Sequence, residues 1–330
     1  MHSSVLVTRA TFPDITDRLR RHVHVTDNPT DEIWSQAELL DRLNGKAGVM
    51  CMASERIDAP LLDACPRLRA VCNVGVGFSH VDVAACTARG IVVTNTPDVI
   101  TESTADLGFA LMMAAARRVT ESDRFVRRGE WTRTAIYNQF DGGEVHGATL
   151  GILGMGRIGR AIARRGALGF GMRVIYHNRS RLPGEQEAES RAKYVDKATL
   201  LRKADHLVLV LPYSETTHHA IGAGELAQMK PSATLTNIAR GGIVDDVALA
   251  AALRTGTLAA AGLDVFEGEP RVHMDLLAIP NIVITPHIGS ASVPTRRAMA
   301  ELSVDNLIAA LGYGPNAWHP PTPVNPEVLG

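Results

Sequence analysis

The sequence predicts an α/β protein made of two doubly wound parallel-sheet domains. Its 330 residues suit about two domains at the usual domain size. Short runs of β-branched residues alternate with helix-like segments, which is typical of parallel βαβ units. These runs are nearly continuous in apolar residues, as expected for strands covered on both faces. With 45% hydrophobic and 21% charged residues, the composition excludes disordered and fibrous proteins.

The charge balance restricts the class of partner. Thirty-four basic and 35 acidic side chains leave a formal net charge of -1, without blocks of like charge. This excludes electrostatic binding to nucleic acid or to a membrane surface. The longest apolar run, residues 107–116, is too short to span a bilayer, and the N-terminus lacks a signal-peptide pattern. We therefore expect a cytoplasmic protein whose partner is a small molecule.

The cysteines favour a structural role. There are four, Cys51, Cys65, Cys72 and Cys86, without a C-x-x-C pair. Their number and scatter suit reduced core residues better than a metal site or a disulfide framework. No metal site is therefore assigned from the sequence.

The predicted strands form two sets, and their order along the chain suggests a discontinuous domain. The first set comprises residues 5–8, 48–52, 70–74 and 91–94. The second comprises residues 149–153, 173–176, 206–210, 234–237, 262–265 and 282–285. Predicted helices at 102–118 and 293–311 flank the second set, and a proline-rich end, expected to lie extended on a surface, follows. We expect one domain of residues 1–100 and 290–330, and another of residues 101–289.

The strongest motif is a glycine-rich loop between a predicted strand and a predicted helix, Gly154-Met155-Gly156-Arg157-Ile158-Gly159. In this setting Gly154 makes a tight turn, Gly156 lets the backbone approach a pyrophosphate, and Gly159 allows close packing of helix on strand. The N-terminus of the helix adds free N–H groups and a partial positive charge. The loop therefore predicts a dinucleotide cofactor.

The end of the following strand indicates which dinucleotide binds. An NAD enzyme is expected to carry Asp or Glu about 20 residues past the loop, on the ribose hydroxyls. This chain instead has Tyr176-His177-Asn178-Arg179-Ser180-Arg181. Guanidinium groups supply the charge and the bidentate hydrogen bonds that a 2′-phosphate requires. We predict NADP(H) as the preferred cofactor and NAD(H) as the alternative, since Arg179 and Arg181 also fit solvated surface charges.

Three later strand ends carry residue types that hydride transfer requires, and ligands bind at such ends in doubly wound sheets. Arg240 can clamp a carboxylate with two parallel hydrogen bonds. His287 is suited to act as a general acid or base. A carboxylate can hold that histidine through one ring N–H and stabilise its cationic form. Spacing alone does not decide whether Glu267 or Glu269 does so.

Together these motifs resemble those of the D-isomer-specific 2-hydroxyacid dehydrogenases, over essentially the whole chain. The matching segments are 154–159, 229–241, 262–267 and 286–289. The resemblance implies a Rossmann-type cofactor domain inserted in a flavodoxin-like substrate domain. It implies that Arg240 binds the substrate carboxylate and carbonyl, that Glu269 pairs with the histidine, and that His287 is the proton donor.

The resemblance also implies where the ligands are held. The substrate carboxylate is expected on backbone amides of Val74, Gly75, Val76 and Gly77, where glycine allows close approach. Thr104 and Pro212 are expected on the nicotinamide and adenosine sides, and Asp264 at the nicotinamide carboxamide. The other residues expected at the cofactor, besides the glycine-rich loop, are Asn178, Arg179, Ser180, Thr217, Ile238, Ala239 and Gly289.

Within that family, the chain is most similar to the glyoxylate/hydroxypyruvate and 2-ketogluconate reductases. The similarity lies in residues 102–106, 178–180 and 323–326. It implies NADPH-dependent reduction of small 2-keto acids to D-2-hydroxy acids by a homodimer. Because a fold does not determine function, two alternatives remain. One is a dinucleotide-sensing scaffold similar to the C-terminal-binding-protein corepressors, and the other is a formate or phosphite dehydrogenase.

Overall fold

The structure, a computed structural model, describes residues 3–137 and 139–329. The chain forms two compact units, one made of the residues up to Ile100 together with those from Ala291 onward, and one spanning Thr101–Ser290. Each unit is an α/β structure with a parallel sheet, which confirms the predicted fold class. No helix in the described part of the chain is both long enough and apolar enough to cross a bilayer.

The first unit begins with five strands that form its sheet. They are β1 (Ser4–Val7), β2 (His24–Thr26), β3 (Gly48–Cys51), β4 (Ala70–Asn73) and β5 (Val92–Thr94). The helices between them are α1 (Pro13–Arg20), α2 (Gln36–Leu43), α3 (Ala59–Ala64) and α4 (Val83–Ala88). The strands lie in the order β2-β1-β3-β4-β5, and all pairs are parallel. This is the flavodoxin-like order.

Both faces of this sheet are covered. Val5 and Val7 of β1 belong to one apolar cluster, whereas Leu6 belongs to the cluster on the opposite face. This alternation follows from the two-residue period of a strand. The four cysteines are buried and free, as the sequence predicts. Burial raises the pKa of the Cys72 thiol to about 12, which is typical of a core residue.

The second unit begins with two helices, α5 (Thr101–Ala116) and α6 (Val119–Arg127). Its strands are β6 (Thr149–Leu153), β7 (Arg173–His177), β8 (Ala192–Tyr194), β9 (His206–Leu209), β10 (Thr234–Asn237), β11 (Ala260–Leu263) and β12 (Ile282–Ile284). Its further helices are α7 (Arg157–Arg164), α8 (Gly184–Ser190), α9 (Lys197–Lys203), α10 (Ala223–Leu226), α11 (Asp246–Thr255) and α12 (Met274–Leu277). The strand order is β12-β11-β10-β9-β6-β7-β8, which is the Rossmann order with one more strand at the β12 edge.

Two strands are absent from the sequence prediction. β2 (His24–Thr26) and β8 (Ala192–Tyr194) each have three residues, lie at an edge of their sheets and contain no run of apolar residues. Both are partly exposed. An edge strand of this kind lacks the continuous apolar pattern that identifies a buried parallel strand.

The C-terminal part of the chain completes the first unit. Helix α13 (Val293–Ala310) packs on its sheet, where Leu307 fills the space beside Gly48. The proline-rich end is more closely attached than an extended surface tail. The Asn325 amide is buried, accepts a hydrogen bond from Val93 N at 2.7 Å and donates to Ile91 O at 2.9 Å. These bonds satisfy backbone groups along the edge strand β5.

Candidate active site

The residues expected at the cofactor and in catalysis all lie in the second unit. Apart from Thr104, on α5, they follow the C-terminal ends of β6, β7, β9, β10, β11 and β12. Because all strands of this sheet are parallel, these ends lie together along one side of the sheet, the edge formed by the C-terminal ends of its strands. Ligands of doubly wound sheets bind at that edge. The tertiary structure thus gathers residues that are up to 185 positions apart, as between Thr104 and Gly289.

The glycine-rich loop has three distinct glycine environments. Gly154 has a φ of +102°, and a Cβ there would lie 2.6 Å from Leu211 N. A Cβ on Gly159 would overlap the carbonyl oxygen of Gly154. At Gly156, in contrast, no heavy atom of the described residues other than Gly156 and its two chain neighbours lies within 4 Å of the Cβ position. The backbone is therefore open at Gly156, where a pyrophosphate would approach.

Asn178 joins this loop to the end of β7. Its Oδ1 accepts a hydrogen bond from Met155 N at 2.6 Å. The neighbouring Gly154 N donates to His177 O at 3.1 Å. Asn178 therefore has a structural contact with the loop in addition to its expected place beside the cofactor. The sequence motif contained no sign of this contact.

The two arginines of the 176–181 segment differ in their partners. Arg181 forms two hydrogen bonds to Glu187, at 2.9 and 2.8 Å. The bonds from Arg181, and then from Tyr176, lower the pKa of Glu187 to about 2. Arg179 is exposed and makes no hydrogen bond or ion pair with any described residue. Of the two guanidinium groups, only that of Arg179 is thus available to a ligand.

Arg240 follows β10 and is positioned by Asn237. The Asn237 side chain accepts from Ala239 N at 3.0 Å and donates to Arg240 O at 3.1 Å. The guanidinium donates one hydrogen bond, to Ala239 O at 2.7 Å, and its other donors have no partner among the described residues. Burial lowers the pKa of Arg240, and the negative charge of Glu269 acts in the opposite direction. Most of its donors are therefore free to bind an anion.

The loop carrying Arg240 packs directly against the loop that follows β11. A Cβ on Gly241 would overlap the carbonyl group of Phe266 and lie 2.8 Å from Glu267 N. Only glycine leaves room for this approach of the two backbones. The approach brings Arg240 close enough for Glu269 to influence its pKa.

Glu269 and His287 form a hydrogen-bonded pair. His287 Nδ1–H donates to Glu269 Oε1 at 2.7 Å, and Phe266 N donates to Oε2 at 3.4 Å. Burial acts to raise the pKa of Glu269, but the hydrogen bond and charge of His287 outweigh it, and the pKa is lowered. The imidazole is 43% exposed, and its Nε2 has no hydrogen-bond partner among the described residues. That nitrogen is free to transfer a proton.

The structure separates the two glutamates that spacing alone left equivalent. Glu269 contacts His287, whereas Glu267 Oε2 lies 2.9 Å from His219 Nε2. The two carboxylates therefore have different histidine partners.

Asp264 organises the loop that carries His287, a role that the sequence analysis did not assign. Its Oδ1 accepts from Thr285 Oγ1 at 2.6 Å and from Ile288 N at 2.8 Å, and its Oδ2 accepts from Gly289 N at 2.8 Å. His287, with a φ of +53°, donates its N–H to the Asp264 carbonyl at 2.9 Å. An Asp directly after a predicted strand and 23 residues before the candidate catalytic histidine is the sequence signal that could have suggested this role.

Replacing Asp264 by Asn tests this organisation. Asp264→Asn exchanges one accepting oxygen for an NH₂ group, so at least one N–H or hydroxyl of the loop loses its acceptor. We expect the free energy of unfolding, measured by urea denaturation, to fall by about 1–3 kcal/mol. The control is Asp275→Asn, at a half-exposed carboxylate of the same unit. Equal losses in the two variants would contradict the role.

The expected nicotinamide side contains an unpaired polar group. Thr104 is 5% exposed, and its Oγ1 has no hydrogen-bond partner among the described residues. It lies near Gly289, since a Cβ on that glycine would be 3.6 Å from this oxygen. Thr217 differs, because its hydroxyl already donates to Pro212 O at 3.0 Å. The open backbone at Gly156, the unpaired Thr104 hydroxyl and the free Arg179 together fit a nicotinamide dinucleotide.

The loop expected to bind the substrate carboxylate lies in the first unit. Its carbonyl groups are occupied, since Asn73 Nδ2 donates to Gly75 O at 2.9 Å and Gly77 O at 3.1 Å, and Asn95 Nδ2 donates to Val76 O at 2.9 Å. The N–H of Val74 donates to Cys51 O at 2.8 Å, so the expectation of a free amide is wrong for that residue, whereas the N–H groups of Gly75, Val76 and Gly77 donate to no described residue. A loop with satisfied carbonyls and free N–H groups is suited to an anion.

Comparison with known proteins gives sequence matches to one family. The family model described as the NAD binding domain of D-isomer specific 2-hydroxyacid dehydrogenases matches residues 109–289. A glyoxylate reductase from Thermococcus gammatolerans is 46% identical over 332 residues, which cover 100% of this chain and 98% of that protein.

Solved structures give the same result for the fold. The TT0316 protein from Thermus thermophilus matches with a TM-score of 0.89 and 43% identity, over 97% of this chain and 99% of that one. The NADPH-dependent glyoxylate/hydroxypyruvate reductase from Sinorhizobium meliloti, in complex with NADP and malonate, matches with a TM-score of 0.85 and 36% identity. That match covers 98% of this chain and 97% of the other.

Proposed function

The chain belongs to the D-isomer-specific 2-hydroxyacid dehydrogenase family, and on that premise we propose that it reduces glyoxylate and hydroxypyruvate with NADPH. Glycolate, the product from glyoxylate, has no stereocentre, and hydroxypyruvate would give the D-2-hydroxy acid. The observation that carries the proposal is the Glu269–His287 pair, whose free Nε2 lies on the same sheet edge as the free donors of Arg240. A proton donor and an anion clamp are the groups that a 2-keto acid requires for reduction.

His287, Glu269 and Arg240 each have a separate role in the proposed reaction. A nicotinamide cofactor, when bound, would supply the hydride that adds to the carbonyl carbon. His287 gives the proton on Nε2 to the carbonyl oxygen, so that the product is a neutral alcohol. Glu269 holds the other ring nitrogen and stabilises the positive charge of the imidazolium before transfer. Arg240 polarises the carbonyl group and helps to fix the carboxylate, which orients the substrate.

The free amides of the first unit support an assignment for the substrate carboxylate. Gly75, Val76 and Gly77 offer three consecutive N–H groups without partners among the described residues. We assign the carboxylate of the 2-keto acid to them. The carbonyl oxygens of this loop already accept hydrogen bonds from the side chains of Asn73 and Asn95. An anion there meets N–H donors beside carbonyl oxygens that already have partners.

We also include a homodimer in the proposal. The second unit exposes three large apolar side chains close together in sequence, Trp131, Ile136 and Tyr137, with exposed fractions of 57%, 86% and 80%. Exposed aromatic and aliphatic groups of this kind are typical of surfaces that a partner subunit covers.

The preference for NADPH is assigned to Arg179. We expect Arg179→Asp to weaken NADPH binding by roughly ten- to a hundred-fold, because a charge-assisted hydrogen bond to the 2′-phosphate is lost and repulsion replaces it. NADH, which lacks that phosphate, should bind almost as before. The measurement is the ratio of the two dissociation constants, by quenching of protein fluorescence.

The matched control for this prediction is Arg202→Asp, which makes the same change of charge at an exposed position of α9. It should leave the ratio unchanged. An unchanged ratio in Arg179→Asp would remove Arg179 from cofactor selection.

The activity itself is tested with purified protein. NADPH and NADH oxidation is followed by absorbance with glyoxylate, hydroxypyruvate and 2-ketogluconate in turn. We expect turnover of the first two with NADPH, and the third decides whether the pocket also takes a longer sugar acid. Tight cofactor binding without turnover of any keto acid would favour a dinucleotide-sensing scaffold. Oxidation of formate or phosphite would favour the other enzyme class.

A further inference from the structure

A cluster of three side chains of types that can ligate metals lies beside the candidate active site. It consists of His218, His219 and Glu267, and the sequence analysis assigned no metal ligand to any of them. One potential ligand atom from each lies within 4.8 Å of the other two. The imidazoles of His218 and His219 are stacked, with centroids 3.9 Å apart and planes inclined by 22°.

The backbone holds these side chains together. His219 adopts a left-handed conformation, with a φ of +48°, which few residues other than glycine take. Its N–H donates to Gly242 O at 2.7 Å. This turn directs two consecutive imidazoles to the same side, where the Tyr213 hydroxyl lies 3.3 Å from His218 Nδ1. The cluster thus depends on contacts between the loops that follow β9, β10 and β11.

The donor set suits one class of cation. Two imidazoles and one carboxylate are typical ligands of Zn²⁺ and of neighbouring divalent transition metals, whereas Mg²⁺ prefers oxygen ligands. In a tetrahedral zinc site the ligand atoms are roughly 3.4 Å apart. The 2.9 Å between His219 Nε2 and Glu267 Oε2 is a hydrogen-bond distance. A cation would replace the shared proton after small rotations of the side chains.

We propose that His218, His219 and Glu267 form a binding site for one divalent cation of the Zn²⁺ type. A water molecule would complete its coordination. The site is separate from the groups to which proton transfer is assigned, because Glu267 is paired with His219 and Glu269 with His287. It goes beyond the proposed reductase activity and does not depend on it.

A cation in this site would join two loops. His218 and His219 follow β9, and Glu267 follows β11, 48 residues from His219. The ligands from the two loops come together only in the folded protein. A cation that binds all of them therefore stabilises the folded state by mass action. We expect the melting temperature to rise with Zn²⁺ concentration.

The proposal is tested by direct titration. Chelator-treated full-length protein is titrated with Zn²⁺ in competition with a chromophoric indicator, and the melting temperature is recorded in parallel. We expect one equivalent to bind, and His218→Gln and Glu267→Gln each to weaken binding by at least about ten-fold, a loss that even outer-shell changes can cause. Both positions are exposed, so the variants should fold. Mg²⁺ should neither compete nor raise the melting temperature.

The controls locate the cation. His24→Gln removes an exposed histidine of the first unit and should leave the affinity unchanged. His287→Gln should also retain binding, since that side chain belongs to the catalytic pair. Wild-type affinity in both His218→Gln and Glu267→Gln, or the absence of stoichiometric binding, would overturn the proposal. Loss of binding in His287→Gln alone would overturn it as well, because it would place the cation at Glu269. None of these readouts requires turnover, so a failed reductase assay leaves them interpretable.

Discussion

Replacing His287 by Gln is expected to lower kcat by about 10²–10⁴-fold, the usual contribution of a general acid, while NADPH binds almost as in the wild type. Gln retains a polar side chain that can contact Glu269, but its amide N–H protons are too weakly acidic to be transferred to the carbonyl oxygen. We expect kcat to fall without a change in cofactor affinity because the imidazole contacts Glu269 through Nδ1 and leaves Nε2 free for proton transfer.

Two measurements check this prediction. Stopped-flow oxidation of bound NADPH by glyoxylate gives the rate of the chemical step, and fluorescence titration gives the cofactor affinity. The control is His273→Gln, an exposed histidine of the same unit. A rate in His287→Gln near that of this control would remove His287 from the mechanism.

The Glu269 carboxylate has a defined response to pH. Its pKa is below the ordinary value, since the hydrogen bond and charge of His287 outweigh the opposing effect of burial. A group whose pKa is lowered on folding contributes stability above its unfolded pKa and loses it as the pH falls through the folded pKa. The carboxylate therefore remains ionised at neutral pH, where it can hold the imidazole, and is protonated only in acid.

The second large effect is expected at Arg240. Arg240→Gln should lower kcat/KM for glyoxylate by about 10²–10³-fold, the range found on removing one donor to a developing oxyanion. The free donors of this guanidinium are the reason, because most of them have no partner among the described residues. Gln keeps one donor group but neither the charge nor the fork.

Arg240→Lys separates charge from geometry. Lysine keeps the positive charge and loses the planar fork, so we expect an intermediate kcat/KM. Steady-state kinetics with glyoxylate and with hydroxypyruvate measure the effect, and Arg254→Gln, at an exposed arginine of α11, is the control. If Arg240→Gln is no more impaired than this control, Arg240 does not contact the substrate.

Much of the fold could be predicted because buried parallel strands leave a local pattern. The predicted strand at 149–153 corresponds to β6 and the one at 234–237 to β10. The glycine-rich loop also leaves a local pattern. Backbone atoms of the loop itself, or of the segment after the neighbouring strand, leave no room for a side chain at Gly154 and Gly159. The short edge strands β2 and β8 escaped prediction because a half-exposed strand does not need an apolar run.

Spacing and local pattern could not choose between neighbouring residues, although the family resemblance implied Glu269 as the partner of the histidine. Arg179 and Arg181 are both basic and two positions apart, yet a bond to Glu187 occupies only Arg181. Glu267 and Glu269 are likewise two positions apart, and the turn between them decides which histidine each one meets. Spacing along the chain does not contain this information, because it depends on how loops from different strands pack.

By itself the sequence determined the α/β class, the positions of the apolar strands along the chain and the residue types at their ends. Each of these depends on local periodicity and local backbone geometry. Only the tertiary structure decided which of those residues meet. The Asp264 carboxylate accepts hydrogen bonds from residues 24 and 25 positions later, and His219 meets Glu267 across 48 positions. Such contacts arise because parallel strands bring the loops at their C-terminal ends to one edge of the sheet.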